Sequence, residues 1–368
     1  MFLRNALFAL ALPAFLSTSP SCHGISPPPP YSLDRAELAH LIQQLSEEGG
    51  YFWSNNYVSN ETSYLHIIDE LSELSVRDGV YVGVGPNQNF TYIATIRPRI
   101  AFVIDIRRHN MLEHLLFKIL MEKAESRQEY LSLLTGRPIP GPPLPHTADI
   151  AAIVDYLEMS VPNPRFFNEQ LDHVLDVLSS WDDLNLTVTD LSDIERIYGE
   201  FYRQGLDIKY DSWRSFFFPS LRDFLLETDL DRNYRNWLAS EESYDFVRDM
   251  HRRNLIVPAI GDFAGEHTFR SLGSLLTERG ETVTALYVSN VEFYLFRQRK
   301  WLRFVDNVRH LPIDDRSVLI RAYANLHRPH PEMIGNHITV SLVQNIRKFL
   351  DNADRGLYRD LWDVVTVN

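Results

Sequence analysis

Two hydrophobic patterns alternate along the chain. Short, continuous apolar runs that close with glycine or a polar residue occupy residues 79–85, 100–105, 255–260 and 283–288. Such runs are typical of strands buried on both faces of a parallel sheet. Between them lie stretches with apolar residues at helical spacing, of which residues 110–134 form the longest. The alternation predicts βαβ units.

The predicted fold is therefore α/β, with a Rossmann-like, mostly parallel sheet, helices on both faces and a large helical insertion. Residues 317–323 add a strand, and residues 338–351 begin with a strand pattern and end with a helical one. Residues 147–254 show helical periodicity with many aromatic residues. The predicted organisation is a signal peptide (1–24), a Pro-rich linker with N-terminal helices (25–78), the first half of the core (79–134), the helical insertion (135–254) and the second half of the core (255–368).

The first 24 residues have the order of a secretory signal. Arg4 precedes an apolar run over residues 6–16, and small residues follow at 17–19. The run is too short to span a bilayer as a helix, and we predict no transmembrane span. We expect export to the periplasm or secretion, with an N-terminal lipid anchor at Cys22 as the alternative to simple cleavage. Because Cys22 is the only cysteine, a disulfide within the chain is excluded.

The net charge and the absence of common catalytic motifs exclude several classes of function. The formal net charge is −13, from 36 Lys and Arg against 49 Asp and Glu, which argues against nucleic acid as a partner and leaves a small-molecule ligand. The serine-hydrolase, zincin and P-loop motifs are absent. His327, His330 and His337 lie near Glu332, but prolines interrupt that segment, and we expect no metal site.

A glycine turn and an acid mark the first predicted βαβ unit. Gly83 and Gly85 lie where the first strand meets a helix, in a turn that continues to Asn89. Glycines there let the backbone approach a nucleotide. Asp105 ends the second strand, where such folds hold a ribose diol. We expect Asp105→Ala to abolish ligand binding and to leave the fold intact, since an acid at a strand end is not part of a core. The alternative interpretation of these residues is ordinary turn and capping chemistry.

Polar residues also follow two later strands. Gly261 and Asp262 come after one strand, and Ser289 and Asn290 come after the next. Ligands of open parallel sheets bind beyond the carboxyl ends of strands, so all these positions are predicted to share one rim. Glu292, beside Asn290, is a candidate general base.

The order of these motifs resembles that of the class I S-adenosylmethionine-dependent methyltransferases. The resemblance covers residues 79–134 and 255–300. It implies that Gly83, Gly85 and Asn89 hold the methionine part of S-adenosylmethionine, that Asp105 binds its ribose and that Gly261 and Asp262 meet its adenine. Ser289, Asn290 and Glu292 would then face the methyl acceptor.

Other interpretations stay open. Tyr81 stands where that family usually has an acid, and the turn lacks a third glycine, which favours an exported small-ligand-binding protein without catalysis. Arg107 and Arg108 beside Asp105 favour an oxidoreductase that uses a phosphorylated dinucleotide. Residues 89–108 and 289–295 also resemble segments of uncharacterised exported bacterial proteins.

Overall fold

Six strands in the described part of the chain form a single sheet. The computed structural model describes residues 31–210, 217–325, 328–335 and 337–367. The strand order is β3-β2-β1-β4-β5-β6, in which the first five strands run parallel and β6 is antiparallel to β5. The strands are β1 (Val80–Gly83), β2 (Ile100–Asp105), β3 (Ile256–Ile260), β4 (Val283–Ser289), β5 (Val318–Ala324) and β6 (Thr339–Asn345).

The burial of the strands explains their sequences. Every residue of β1, β2 and β3 is buried, as in parallel strands covered on both faces. The register pairs Gly83 with Val103 and Asp105 with Ile260, so the carboxyl ends of these strands lie at one edge. The chain is therefore a mixed α/β protein with a mostly parallel sheet.

Fifteen α-helices lie in the described part of the chain. They are α1 (Arg35–Leu45), α2 (Ile68–Glu73), α3 (Asn89–Ile96), α4 (Arg108–Lys123), α5 (Arg127–Thr135), α6 (Ile150–Glu158), α7 (Pro164–Ser179), α8 (Val188–Gln204), α9 (Leu221–Leu226), α10 (Glu241–Arg252), α11 (Thr268–Glu278), α12 (Val291–Arg297), α13 (Trp301–Arg309), α14 (Ile346–Asp354) and α15 (Leu361–Thr366). None of them is long and apolar enough to cross a membrane. Seven of them, α4 to α10, lie between β2 and β3.

Local capping chemistry corrects one helix prediction. The sequence pattern predicted one helix over residues 110–134, but the structure has two helices, α4 and α5. The break occurs because the Ser126 side chain accepts a hydrogen bond from the Glu129 backbone and starts a new helix. The periodic apolar pattern runs across this break, so the pattern alone did not reveal it.

One hydrophobic core joins the sheet to the helices on its flanks. It extends from Leu38 of α1 through the strands to Val364 of α15. The segment before β1 is part of it, since Tyr64 and Leu65 are also fully buried. The predicted signal peptide, Cys22 and His327 lie outside the described residues.

Candidate functional site

A cavity lies at the carboxyl edge of the sheet, beyond β1, β2, β3 and β4. It holds about 860 Å³, part of which is open to solvent. This edge is where the strand order reverses, because β1 lies between β2 and β4. Ligands of open α/β sheets bind at such points. Six residues predicted from the sequence line the cavity: Gly85, Asp105, Gly261, Asp262, Ser289 and Asn290.

The glycine turn after β1 forms one wall. Gly85 has φ +82°, and a Cβ atom there would make only an ordinary contact, 3.9 Å from Asn56 Nδ2. Glycine is therefore required here by conformation, and its backbone lines the cavity. Gly83 does not line the cavity. A Cβ atom at Gly83 would lie 2.0 Å from Oδ1 of Asn89, so this glycine is required by close packing within the turn.

Asn89 holds the turn together from behind. Its Nδ2 atom donates to the carbonyls of Val84, Gly85 and Pro86 at 2.7–3.1 Å, and its Oδ1 atom accepts from the Tyr81 hydroxyl at 2.9 Å. Asn89 is buried and does not line the cavity. Its position does not agree with the predicted contact to a ligand, and Tyr81 is likewise occupied by this internal bond.

Asp105 reaches the cavity as half of a buried ion pair. Oδ1 accepts from the backbone N and the Nε of Arg107, and Oδ2 accepts from Arg107 Nη2 at 2.7 Å. The two residues are only 5% and 6% exposed. Arg107 also donates to the Asn55 carbonyl. Removing Asp105 would leave a buried guanidinium without its counter-charge, so this geometry predicts that Asp105→Ala destabilises the fold, contrary to the expectation from the sequence.

Asp262 is also paired. Its Oδ2 atom accepts from Lys300 Nζ at 2.7 Å, and its Oδ1 atom accepts from the backbone N of Ala264 at 2.9 Å. Gly261 packs against Thr268, whose Oγ1 would lie 2.4 Å from an added Cβ atom. The acids on both sides of the cavity are thus neutralised by cations of the chain itself.

The end of β4 supplies a strained serine. Ser289 has φ +49°, a left-handed conformation that is uncommon for residues other than glycine. Such strain clusters at functional sites. Asn290 follows as the N-cap of α12 and lines the same wall.

A buried carboxyl group that the sequence did not reveal lies behind this wall. Glu61 Oε1 accepts from the hydroxyls of Ser289 at 2.5 Å and Tyr287 at 2.6 Å, and its Oε2 accepts from Gln88 at 2.8 Å. Burial raises the pKa of Glu61, and these three hydrogen bonds oppose the shift. Ser289 and Tyr287 line the cavity, so they connect it to a protonatable group. The polar run at residues 59–63 resembles an exposed loop in sequence, so nothing in it indicates that Glu61 is buried.

Aromatic rings cover the rest of the cavity. Phe52 lies edge-on to Tyr294 at 5.2 Å, and Trp53 lies edge-on to Tyr210 at 5.8 Å. The aromatic residues that line the cavity are Tyr51, Phe52, Tyr210, Phe263, Tyr287 and Tyr294. Their faces offer stacking surfaces for a flat, conjugated ring.

One polar atom in the cavity wall lacks a partner. Among the described residues, Oδ1 of Asn56 is buried without a hydrogen-bond partner. Asn56 lines the cavity beside Gly85. A buried acceptor without a partner is costly, and a ligand that donates a hydrogen bond would satisfy it.

Glu292 lies away from the cavity. It is buried and pairs with Arg321 of β5, whose Nε donates to its Oε2 at 2.8 Å. The predicted general base is therefore half of an internal ion pair and does not line the cavity. The sequence could not reveal this, because Arg321 comes from a strand that is distant along the chain.

The chain matches one known family over the segments that form the sheet and the cavity. Residues 56–137 and 202–363, about two thirds of the chain, match a family described as a domain of unknown function, DUF7790. The chain belongs to this family. The matched segments contain all six strands, Asn56 and Glu61, whereas the unmatched residues between them contain α6, α7 and most of α8. No significant match to a curated protein was found.

Proposed function

We propose that the cavity binds an adenosyl compound and that the chain is a methyltransferase-like protein with a Rossmann-like core. The observation that carries this proposal is the convergence of residues from four successive parallel strands, β1 to β4, on one cavity. These are the positions at which the class I methyltransferases hold S-adenosylmethionine. The six-strand order, with the antiparallel strand at the edge, supports the same assignment.

The residues present fit such a ligand. An adenine can stack against the ring of Phe52 or of Tyr294, and the unpartnered Oδ1 of Asn56 can accept from its amino group. A ribose diol can donate to Oδ2 of Asp105, because a carboxylate has about four acceptor sites and Arg107 uses three.

Bound S-adenosylmethionine would supply a methyl group to a nucleophilic acceptor. The chain's own part is to orient the acceptor and to take its proton. Ser289 and Tyr287 can pass a proton from an acceptor in the cavity to Glu61, whose raised pKa brings it closer to neutral pH than an exposed glutamate. Asn290 can orient the acceptor from the same wall.

A second candidate is ligand binding without chemistry. The internal pairing of Asp105 with Arg107 and of Asp262 with Lys300 favours it, because neither acid is free to act as a base. The export predicted from residues 1–24 also favours it, since S-adenosylmethionine is made inside cells. The oxidoreductase alternative has less support. Arg107 lines the cavity, but Arg108 pairs with Asp190 instead of reaching it.

Calorimetric titration of the full-length chain tests the proposal. We expect S-adenosylhomocysteine and S-adenosylmethionine to bind in the micromolar range. Asn56→Ala removes the unpartnered acceptor and should weaken binding by about tenfold, the equivalent of about 1.4 kcal/mol. The matched control is Asn168→Ala, on α7 outside the cavity, which should bind as the wild type does.

Each alternative outcome has its own meaning. Binding of reduced NADPH in place of the adenosyl compounds would refute the methyltransferase assignment and favour the oxidoreductase. If none of the three compounds binds to a folded chain, the adenosyl assignment is wrong and the site serves another small ligand. If the Asn56→Ala and Asn168→Ala variants bind the adenosyl compounds with equal affinity, Asn56 does not contact the ligand.

A further inference from the structure

Three potential metal ligands meet outside the cavity. His66, Glu227 and His337 each offer one ligand atom, and these atoms all lie within 4.8 Å of one another. The two imidazole rings are 4.5 Å apart between centroids and nearly perpendicular, at 81°. All three residues are half-buried, and none of them lines the cavity. The sequence predicted no metal site, because these residues come from three distant parts of the chain.

The backbone around His66 and His337 is held by a network of hydroxyl groups. The Thr62 hydroxyl accepts from the backbone N of Ile338 at 3.1 Å, and the backbone N of Thr62 donates to the Thr339 hydroxyl at 2.9 Å. Ser63 contacts the hydroxyls of Thr339 and Ser341. The segment that carries His66 is thereby fixed to the start of β6, which lies two residues beyond His337.

A second clamp fixes the same segment to the end of α9. Tyr64 stacks on Phe224 with the ring centroids 4.0 Å apart and the planes within 6° of parallel. The Tyr64 hydroxyl donates to the Phe224 carbonyl at 2.7 Å. Glu227 is the C-cap residue of this helix, only three residues beyond Phe224. All three ligand-bearing segments are thus held together before any ion arrives, which lowers the entropic cost of assembling a site.

The donor set identifies the class of ion. Two imidazole nitrogens and one carboxylate oxygen are a usual ligand set for zinc with water in the fourth position. Hard cations such as Ca²⁺ and Mg²⁺ prefer oxygen ligands throughout.

We propose that His66, Glu227 and His337 form a zinc-type divalent metal site with water as the fourth ligand, separate from the cavity and independent of its proposed function. The ion would tie the segment before β1 to the end of α9 and to the start of β6. It would also add a Lewis acid to the same edge of the sheet, because β6 begins opposite the end of β5.

Metal titration of the full-length chain without a histidine tag tests the proposal. We expect one Zn²⁺ per chain, measured by elemental analysis after dialysis, and Co²⁺ absorption bands of a four-coordinate site. His337→Ala should weaken Zn²⁺ binding by at least about 100-fold, since even residues behind the ligands cost about 10–100-fold. His40→Ala, an exposed histidine of α1, is the control and should bind as the wild type does.

Folding of the variants is checked by circular dichroism. If His337→Ala does not fold, Glu227→Gln keeps the size of the side chain and carries the same test, with the Co²⁺ spectrum as the readout. The proposal is overturned if the folded wild type retains no Zn²⁺ after dialysis, or if it binds Ca²⁺ and Mg²⁺ in preference to Zn²⁺. Zn²⁺ binding that survives in a folded His337→Ala or Glu227→Gln variant also overturns it.

Discussion

Replacing Glu292 by alanine should destabilise the protein strongly. Glu292 and Arg321 are 2% and 1% exposed, so neither charge is screened by water. Burial raises the pKa of Glu292, and the charge of Arg321 opposes the shift. Glu292→Ala leaves the guanidinium with Gln344 Oε1 and the Val364 carbonyl as its remaining acceptors. Removing one partner of a buried pair costs about 3–5 kcal/mol.

Urea denaturation followed by circular dichroism measures this loss. Domains are typically stable by about 5–15 kcal/mol, so the loss is a large fraction of the total. With a slope of about 3 kcal/mol per molar urea, the midpoint should fall by about 1–2 M. Glu278→Ala, at an exposed position near the end of α11, is the control and should change stability by less than about 0.5 kcal/mol.

A double variant separates the charge from the packing. Arg321→Met combined with Glu292→Ala removes both charges, and it should be more stable than Glu292→Ala alone. If the free energy of unfolding of Glu292→Ala lies within about 1 kcal/mol of the wild-type value, the buried pair does not stabilise the fold. If the double variant loses as much stability as Glu292→Ala and Arg321→Met lose in total when measured separately, the two residues are not coupled.

Two further predictions concern the turn after β1. Burial lowers the pKa of His114 to about 4, although a hydrogen bond to the Gly85 carbonyl opposes the shift. The folded state therefore disfavours protonation of His114. The stability that the neutral imidazole contributes is fully present above the unfolded pKa of about 6.5 and is lost as the pH falls towards 4. His114→Gln should reduce the loss of stability between pH 7 and pH 5 by about 2 kcal/mol in urea titrations at both values; equal losses in the two proteins would contradict the assigned burial effect. Gly83→Ala should destabilise the fold by about 1–3 kcal/mol in thermal unfolding, because the new methyl group would meet Asn89 and the Tyr81 ring. The control is Gly356→Ala, where an added Cβ atom has open space but φ is +67°. It should cost only about 1 kcal/mol in the same assay.

The strands were predictable because burial on both faces leaves a continuous apolar run. β2 was predicted with its observed bounds, and Asp105 was correctly expected at its end. The rim residues Gly85, Asp262 and Ser289 were predictable for the same reason, since the carboxyl ends of parallel strands share one edge.

What the sequence did not reveal depends on partners that are distant along the chain. Glu61 is buried only because Ser289 and Tyr287 surround it, and nothing near it in sequence indicates this. The burial of Glu292 likewise depends on Arg321 of β5.

The hydroxyl contacts between residues 62–63 and β6 affect the order in which the protein can fold. Thr62 lies before the first strand, while Thr339 and Ser341 belong to the last. The segment that carries Asn56 and Glu61 can therefore be fixed in place only after the ribosome has released Thr339 and Ser341. Contacts between residues so far apart also slow folding, because a long loop must close before they form. The cavity can therefore gain its complete wall, and bind a ligand, only late in folding.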